Sequence, residues 1–368
     1  GNEMKPDAIL GSTIGKLVKP TDEVSADKTD FITVEDAKSM GYIIPDNYTS
    51  YDDNRFKSAT GEYAVPRLNF DNVDKLMKAA HENGVKLRGH TLVWHQQTPK
   101  YFFQQNYKIT TGQKYNTSKE CMDTRLEFYV KTVMNHVLSS EYADCLYSYD
   151  VVNEYLHSAN AEKDSKNITY WGLIYGTYDK SVKDHGVTLR PSYVKDAFKY
   201  AHEMLVKYDR LDVKLIYNDY NCYQNPENII HLVDYINSDG KVCDGIGMQS
   251  HLDITDSFHS ATNYAKALEY FRLNCPDLEI QITELDATMV STEDKPLTDE
   301  DQAAYYDQIM NAILTNKKNG GNITALIIWS LYDGVSWRPA KFPCLFNGLY
   351  MPKAAFYAVI DAKKQYWD

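Results

Sequence analysis

Residues 146–154 read LYSYDVVNE, a run of aromatic and β-branched residues that ends in an amide and a carboxylate. Such a composition is typical of a buried strand. An apolar run with a polar end occurs five more times: VKLRGHTLVWH (85–95), VKLIYNDYN (213–221), DGIGMQSHLD (244–253), LEIQITELD (278–286) and ITALIIWSLYDG (323–334). Because helical stretches separate these runs, the sequence predicts strands that alternate with helices in a parallel sheet.

The polar ends of these strands decide between two parallel folds. In a (β/α)8 barrel the C-terminal ends of the strands form the active face. A doubly wound sheet would share the alternation, but no GxGxxG follows any of the strands. We therefore predict an α/β protein with a (β/α)8 TIM barrel fold, formed by residues 1–368 as a single domain.

Six strands are found where a barrel needs eight. The segment GNEMKP (1–6) resembles the polar end of a strand, so we expect the first two barrel strands to be missing from this chain. Residues 11–66 form a long polar stretch that we predict to be an insertion-like loop. Long loops on the active face shape a cleft, and a tolerated surface insertion is an equal alternative.

Composition excludes several classes of partner. The net charge of −12 would repel a phosphate backbone, so nucleic acid is not an expected partner. No apolar run approaches the length of a membrane span. Six cysteines without CxxC spacing predict free thiols, with Cys243 and Cys275 as the one conceivable disulfide pair. The 30 tyrosines fit either ordinary packing or a surface that stacks against sugar rings.

Two carboxylates at strand ends, Glu154 and Glu284, are the leading candidates for chemistry. Glycoside hydrolysis needs such a pair, one carboxyl group to protonate the leaving oxygen and the other to attack or to activate water. A lone glutamate at a strand end is more often solvated or ion-paired. Asn153 is adjacent to Glu154, so both can serve one sugar only if the strand bulges or ends there.

Side chains two residues apart on a strand share a face. Glu284 and Asp286 are therefore predicted to point inward together, and Gln249, His251 and Asp253 are predicted to do so on the preceding strand. A histidine between two carboxylates could orient a nucleophile and tune its charge. A satisfied core histidine is an equal alternative for His251.

Polar donors also cluster near tryptophans. The segment RGHTLVWHQQTP (88–99) contains His90, Trp94, His95 and Gln97. Two histidines without a carboxylate or cysteine at ligand spacing do not predict a metal site. Of Trp329 and Trp337, one is expected in the core, and the ring of the other could stack against a bound sugar.

The motifs together resemble those of the glycoside hydrolase family 10 endo-β-1,4-xylanases, which are retaining enzymes on a (β/α)8 barrel. The shared motifs, in the family's order, are GHTLVWHQQTP (89–99), DVVNE (150–154), NDYN (218–221), QSHLD (249–253), ITELD (282–286) and SWRP (336–339). The resemblance runs from about residue 66 to 360, with GNEMKP added at the start. Any one motif is weak, but six in order are specific.

The resemblance implies a role for each matching residue. Glu154 is then the acid/base and Glu284 the nucleophile, with His251, Asp286 and Asn153 in support. Retaining chemistry predicts that the two carboxyl groups lie about 5–5.5 Å apart. The residues implied to bind substrate are Asn2, Lys5, His90, Trp94, Gln97, Tyr220, Gln249, Trp337 and Arg338. A cis peptide bond between His90 and Thr91 is also implied.

The function implied is endo-acting, retaining hydrolysis of xylan by a monomer without a cofactor or metal. A polymeric substrate further implies an extracellular, periplasmic or cell-surface location. The alternatives are a β-1,4-glucanase of a related barrel family and a non-catalytic xylan-binding protein. Gly1 stands where the family usually has Glu, which puts a distal glycone contact in doubt. Tyr149 stands where Trp is common, and we expect only a packing change there.

Overall fold

The computed structural model describes residues 51–52, 55–56, 64, 68, 70–105, 116–158, 169–183, 185–291 and 296–366. The predictions for Asn2, Lys5 and the missing strands, and for most of the 11–66 loop, lie outside these residues. The described chain forms two compact units. The first contains the residues before 218 together with 234–243, and the second contains 218–233 and 244–366.

The first unit begins with a short antiparallel pair and continues with alternating helices and strands. Its elements are β1 (Tyr51–Asp52), β2 (Arg55–Phe56), α1 (Asp71–Glu82), β3 (Leu87–Trp94), α2 (Lys119–Ser139), β4 (Leu146–Asn153), α3 (Tyr170–Tyr175) and α4 (Ser192–Lys207). β3 and β4 pair in parallel, with Leu87 opposite Leu146 and Trp94 opposite Asn153. The C-terminal ends of these two strands therefore lie side by side.

The next strand, β5 (Lys214–Asp219), carries the chain from the first unit into the second at Asn218. The remaining elements are α5 (Pro226–Ile236), β6 (Gly245–Met248), β7 (His251–Asp253), α6 (Ala261–Asn274), β8 (Glu279–Thr288), α7 (Asp299–Lys318), β9 (Ile323–Ile328) and α8 (Ala354–Tyr366). β8 pairs in parallel with β6, β7 and β9.

Burial explains why the strands read as nearly continuous apolar runs. Seven of the eight residues of β4 are buried, as are nine of the ten residues of β8. Strands covered on both faces lose the alternation of polar and apolar side chains. Polar N-cap residues precede α2 and α7. Ser118 accepts from the backbone N–H of Cys121, and Thr298 forms a capping box with Asp301.

Two sequence predictions have clear outcomes here. All six cysteines are free thiols, as predicted. The run DGIGMQSHLD, however, forms two strands rather than one. The extended conformation is interrupted between Met248 and His251, where Ser250 has a φ of +65°. The prediction that Gln249, His251 and Asp253 share the face of one regular strand is therefore wrong.

No helix within the described ranges is both long enough and apolar enough to cross a membrane.

Candidate active site

Glu154 is the first residue after β4, and the chain turns there. The strand ends at Asn153, and Glu154 has a φ of +57°, in the left-handed region that few non-glycine residues adopt. Both side chains are buried, with 2% of Asn153 and 6% of Glu154 exposed. The strand thus ends at the position where a bulge or an end was expected if both residues serve one sugar.

The neighbouring strand β3 and the turn after it each supply one donor to the Glu154 carboxyl group. Trp94 Nε1 donates to Oε2 at 2.8 Å, and Gln96 Nε2 lies 3.3 Å from the same oxygen. The parallel register explains the first contact, since Trp94 lies opposite Asn153. The Trp94 carbonyl oxygen accepts from Thr98 Oγ1 and from the indole of Trp171, which fixes the main chain at this point.

A buried ionic cluster lies along β3 and β4 behind these residues. Asp150 is fully buried and accepts from Arg88 and from His90 Nδ1, the latter at 2.9 Å. Thr91 Oγ1 donates to the Asp150 carbonyl oxygen at 3.0 Å. The His90–Thr91 peptide bond is cis, as the family resemblance implied. Asp150 therefore fixes the orientation of the His90 ring.

Glu284 lies on β8 and accepts a hydrogen bond on each carboxyl oxygen. Asn218 Nδ2 donates to Oε1 at 2.8 Å, and His251 Nε2 lies 3.1 Å from Oε2. The amide of Asn218 is itself oriented by Thr283 Oγ1, which donates to Asn218 Oδ1 at 2.7 Å. Because Asn218 and Thr283 are fully buried and Glu284 is 3% exposed, this chain of bonds is shielded from water.

His251 joins Glu284 to a second carboxylate. Its Nδ1 lies 2.8 Å from Asp286 Oδ1, while Nε2 faces Glu284. Burial by itself lowers the pKa of His251, but the charge of Asp286 and the hydrogen bonds to both carboxylates outweigh it and raise the pKa to about 10. His251 is therefore an imidazolium at neutral pH, and both of its N–H groups donate to carboxylates.

Asp286 also binds two residues of the segment after β9. Trp337 Nε1 donates to Oδ2 at 3.0 Å, and Arg338 forms an ion pair with Oδ1. The Arg338 guanidinium lies over the Trp337 ring, 4.6 Å from its centroid. Trp337 is 58% exposed, whereas Trp329 is 7% exposed. Trp329 is thus the core tryptophan, and Trp337 presents its ring to solvent beside Arg338.

The structure divides the other predicted substrate residues by exposure. Gln249 is buried, and its backbone forms two hydrogen bonds with neighbouring segments. Its N–H donates to the Asp219 carbonyl, and its carbonyl accepts from the Glu284 N–H. Tyr220, after β5, is half-buried, and Gln97 is exposed.

Gln96 and Asn218 were missed by the sequence analysis, although they contact the two candidate carboxylates directly. Asn218 stands in NDYN, at the polar end of a strand, and that position could have singled it out. Nothing in the sequence distinguishes Gln96 from Gln97, because both lie in the turn that follows β3.

The two carboxylates lie in different environments. Glu284 faces an imidazolium and an amide, which favour its ionised form. Two donors on Glu154, the Trp94 indole and the Gln96 amide, carry no charge.

Comparisons with known proteins agree with these features. A family model for glycosyl hydrolase family 10 matches residues 2–362. Endo-1,4-beta-xylanase A of Butyrivibrio fibrisolvens is 40% identical over 363 residues, which cover 98% of this chain and 74% of that protein. The other curated relatives compared are 30–34% identical, and the chain spans less than half of each one's length.

Solved structures show the same likeness. An endo-1,4-beta-D-xylanase of Clostridium thermocellum, complexed with xylohexaose, is 30% identical with a TM-score of 0.66, over 80% of this chain and 56% of that one. An intracellular xylanase of Thermoanaerobacterium saccharolyticum is 30% identical with a TM-score of 0.62, over 80% of this chain and 81% of that one. The family model and these structures confirm the predicted (β/α)8 fold class.

Proposed function

The chain belongs to glycosyl hydrolase family 10, and we propose that it hydrolyses internal β-1,4-xylosidic bonds of xylan with retention of configuration. The observation that carries this proposal is the contrast between the two buried carboxylates. Glu284 is held between an imidazolium and an oriented amide, and Glu154 accepts from an indole and an amide. We assign Glu284 as the nucleophile and Glu154 as the acid/base.

In the first step, Glu284 attacks the anomeric carbon while Glu154 gives its proton to the glycosidic oxygen, which leaves with the aglycone. A covalent glycosyl-enzyme forms. In the second step, the ionised Glu154 takes a proton from water, the water oxygen attacks the anomeric carbon, and Glu284 leaves. The two inversions give net retention. This mechanism predicts a separation of about 5–5.5 Å between the two carboxyl groups.

Asn218 and His251 would prepare Glu284 for attack. Each holds one carboxyl oxygen, so the carboxylate plane is fixed before substrate arrives. When the ester forms, negative charge leaves Glu284, and the imidazolium remains balanced by Asp286. Asp286 would thus keep His251 charged through both steps.

The sugar contacts are proposed from exposure and chemistry. The exposed Trp337 ring can stack on a xylose face, with Arg338 beside it. Asn153, next to the acid, can bond a sugar hydroxyl, a contact that strengthens in the transition state. The other residues that we propose to line the site are Asn2, Lys5, His90, Trp94, Gln97, Tyr220 and Gln249.

Xylan is the proposed substrate because the similar protein of Butyrivibrio fibrisolvens is named an endo-1,4-beta-xylanase and the Clostridium thermocellum structure holds xylohexaose. A polymeric substrate favours action outside the cytoplasm, although a similar solved xylanase is described as intracellular. Rates on aryl xylobioside and aryl cellobioside distinguish a xylanase from a β-1,4-glucanase. Faster hydrolysis of the cellobioside would overturn the proposed specificity.

Two variants test the assignment of the carboxylates. Glu284→Gln removes the nucleophile and should abolish release of reducing sugar from xylan. Glu154→Ala should be nearly inactive on xylan but should retain activity on aryl xylobiosides with good leaving groups, because these need no proton. Azide should accelerate Glu154→Ala further, and its product should be a β-glycosyl azide.

Glu279→Gln provides the matched control, since Glu279 begins the same strand as Glu284 but bonds Gln281 and Thr324 instead. It should hydrolyse xylan at the parent rate. Robust hydrolysis by Glu284→Gln, or an α-configured first product seen by NMR, would rule out the proposed mechanism. A protein that binds xylan and releases no sugar would instead be a xylan-binding protein.

A further inference from the structure

One oxygen of the Glu154 carboxyl group receives two donors. Trp94 Nε1 and Gln96 Nε2 lie 2.8 Å and 3.3 Å from Oε2. An indole N–H can only donate, and an amide NH₂ is likewise a donor group. Oε2 therefore acts as an acceptor toward both neighbours, whichever protonation state Glu154 adopts.

A neutral carboxyl group has one carbonyl oxygen, the better acceptor, and one hydroxyl oxygen, which donates. Two donors on Oε2 favour its carbonyl form and so favour the proton on Oε1. We infer that Gln96 is a positioning residue for the acid step, because with Trp94 it fixes Oε2 as acceptor and assigns the transferable proton to Oε1. This inference rests on the proposed role of Glu154 as the acid/base.

The two donors are held by different means. Thr98 and Trp171 both donate to the Trp94 carbonyl oxygen and anchor that residue from two sides. Gln96 lies in the turn after β3, and its side chain is exposed. The Gln96 amide therefore donates to Glu154 from an exposed turn. A substitution at this position changes the donor and leaves the anchored indole in place.

The Gln96 bond affects the two forms of Glu154 unequally. A hydrogen bond to a carboxylate is charge-assisted and roughly twice as strong as one to a neutral carboxyl group. Gln96 therefore stabilises the ionised acid/base more than the protonated one. Without the amide, Glu154 should keep its proton to a higher pH, and the basic limb of the activity profile should move in that direction.

Gln96→Leu removes the donor and keeps the size of the side chain. The measurement is kcat/KM against pH for phenyl β-xylobioside, a poor leaving group that needs protonation. We expect the basic limb to move up by about half a pH unit, because the bond is long and exposed. On dinitrophenyl β-xylobioside, which needs no proton, the profiles of parent and variant should coincide. A merely structural defect would lower both activities without moving either limb.

Gln96→Glu gives a second test. A carboxylate at this position cannot donate when ionised and repels the ionised Glu154, so the basic limb should move further upward. Gln97→Leu is the matched control, because Gln97 lies in the same turn and is also exposed. It should raise KM for xylan, as a proposed sugar contact, without moving the basic limb.

The inference is overturned if the profile of Gln96→Leu on the phenyl substrate superimposes on that of the parent. It is also overturned if Gln97→Leu moves the limb by the same amount. A parent protein that fails to hydrolyse either xylobioside would instead overturn the proposed function, so the two failures are distinguishable.

Discussion

Replacement of His251 should make the protein less sensitive to alkaline pH. In the folded protein, the charge of Asp286 and the bonds to Asp286 and Glu284 overcome the effect of burial and raise the pKa of His251 to about 10. In the unfolded chain a histidine has a pKa of about 6.5. Because the folded value is the higher one, His251 contributes its full stability below about pH 6.5. That contribution is lost as the pH rises toward 10.

The size of the effect follows from the difference between the two pKa values. Between about pH 7.5 and 9.5 the unfolded histidine is neutral while the folded one still holds its proton. Each pH unit in this range therefore removes about 1.4 kcal/mol from the free energy of unfolding. Over the two units the loss should be roughly 3 kcal/mol. The side chain of His251 is 14% exposed, so solvent screening reduces this effect little.

The assay is urea unfolding of the parent and of His251→Asn at several pH values in that range. Other groups also titrate in this pH range. The informative quantity is therefore the difference between parent and variant in the slope of the free energy of unfolding against pH. His259→Asn is the matched control, because the side chain of His259 is also 14% exposed. Burial lowers the pKa of His259, more than the charges of Asp256 and Asp253 raise it. His259 is therefore neutral in both states above about pH 7.5.

The expected result is a shallower loss of stability in His251→Asn and a parent-like loss in His259→Asn. If His251→Asn loses stability with the same slope as the parent, His251 does not carry a raised pKa. The imidazolium that we place between Glu284 and Asp286 would then be wrong. A reduced slope in both variants would show a general effect of substitution rather than a charge on His251.

Three further outcomes follow from contacts in the structure. Asn218→Ala removes a bond to a charged oxygen, worth about 1.5–3 kcal/mol, so kcat/KM should fall roughly 10- to 100-fold. Thr283→Val keeps the bond from Asn218 to Glu284 and removes only the hydroxyl that orients the Asn218 amide, so kcat/KM should fall less than in Asn218→Ala. A larger fall for Thr283→Val in steady-state kinetics would contradict the proposed chain of bonds. Gly89→Ala would place a Cβ 2.3 Å from the ring of Tyr149, and overpacking of this kind costs about 1–3 kcal/mol. The Tm should fall for Gly89→Ala and stay unchanged for Gly348→Ala, where nothing lies within 4 Å of the added carbon; equal Tm values would contradict the close approach.

The sequence alone predicted the elements that carry the site. Six apolar runs with polar ends predicted the strands and the fold class, because burial on both faces leaves a composition that is visible locally. The adjacency of Asn153 and Glu154 predicted a bulge or a strand end there if both serve one sugar, and β4 ends at Asn153. The spacing of Glu284 and Asp286 placed both on one face, and His251 contacts both.

The local sequence pattern did not predict where the backbone departs from regular strand geometry. The interruption at Ser250 divides an apparently continuous strand, and one serine is too weak a turn signal to mark it in DGIGMQSHLD. Burial of Trp329 and exposure of Trp337 were likewise undecided, because both lie in aromatic segments at the end of the same strand.

The identity of each side chain's partner was decided only by tertiary structure. Gln96 and Glu154 are 58 residues apart, and Asn218 and Glu284 are 66 apart. Hydrophobic periodicity reports which face of an element is buried, and it contains no information about which distant strand supplies a donor to that face. The charge on His251 has the same origin. It depends on two carboxylates that only the pairing of β7 with β8 brings within hydrogen-bonding distance.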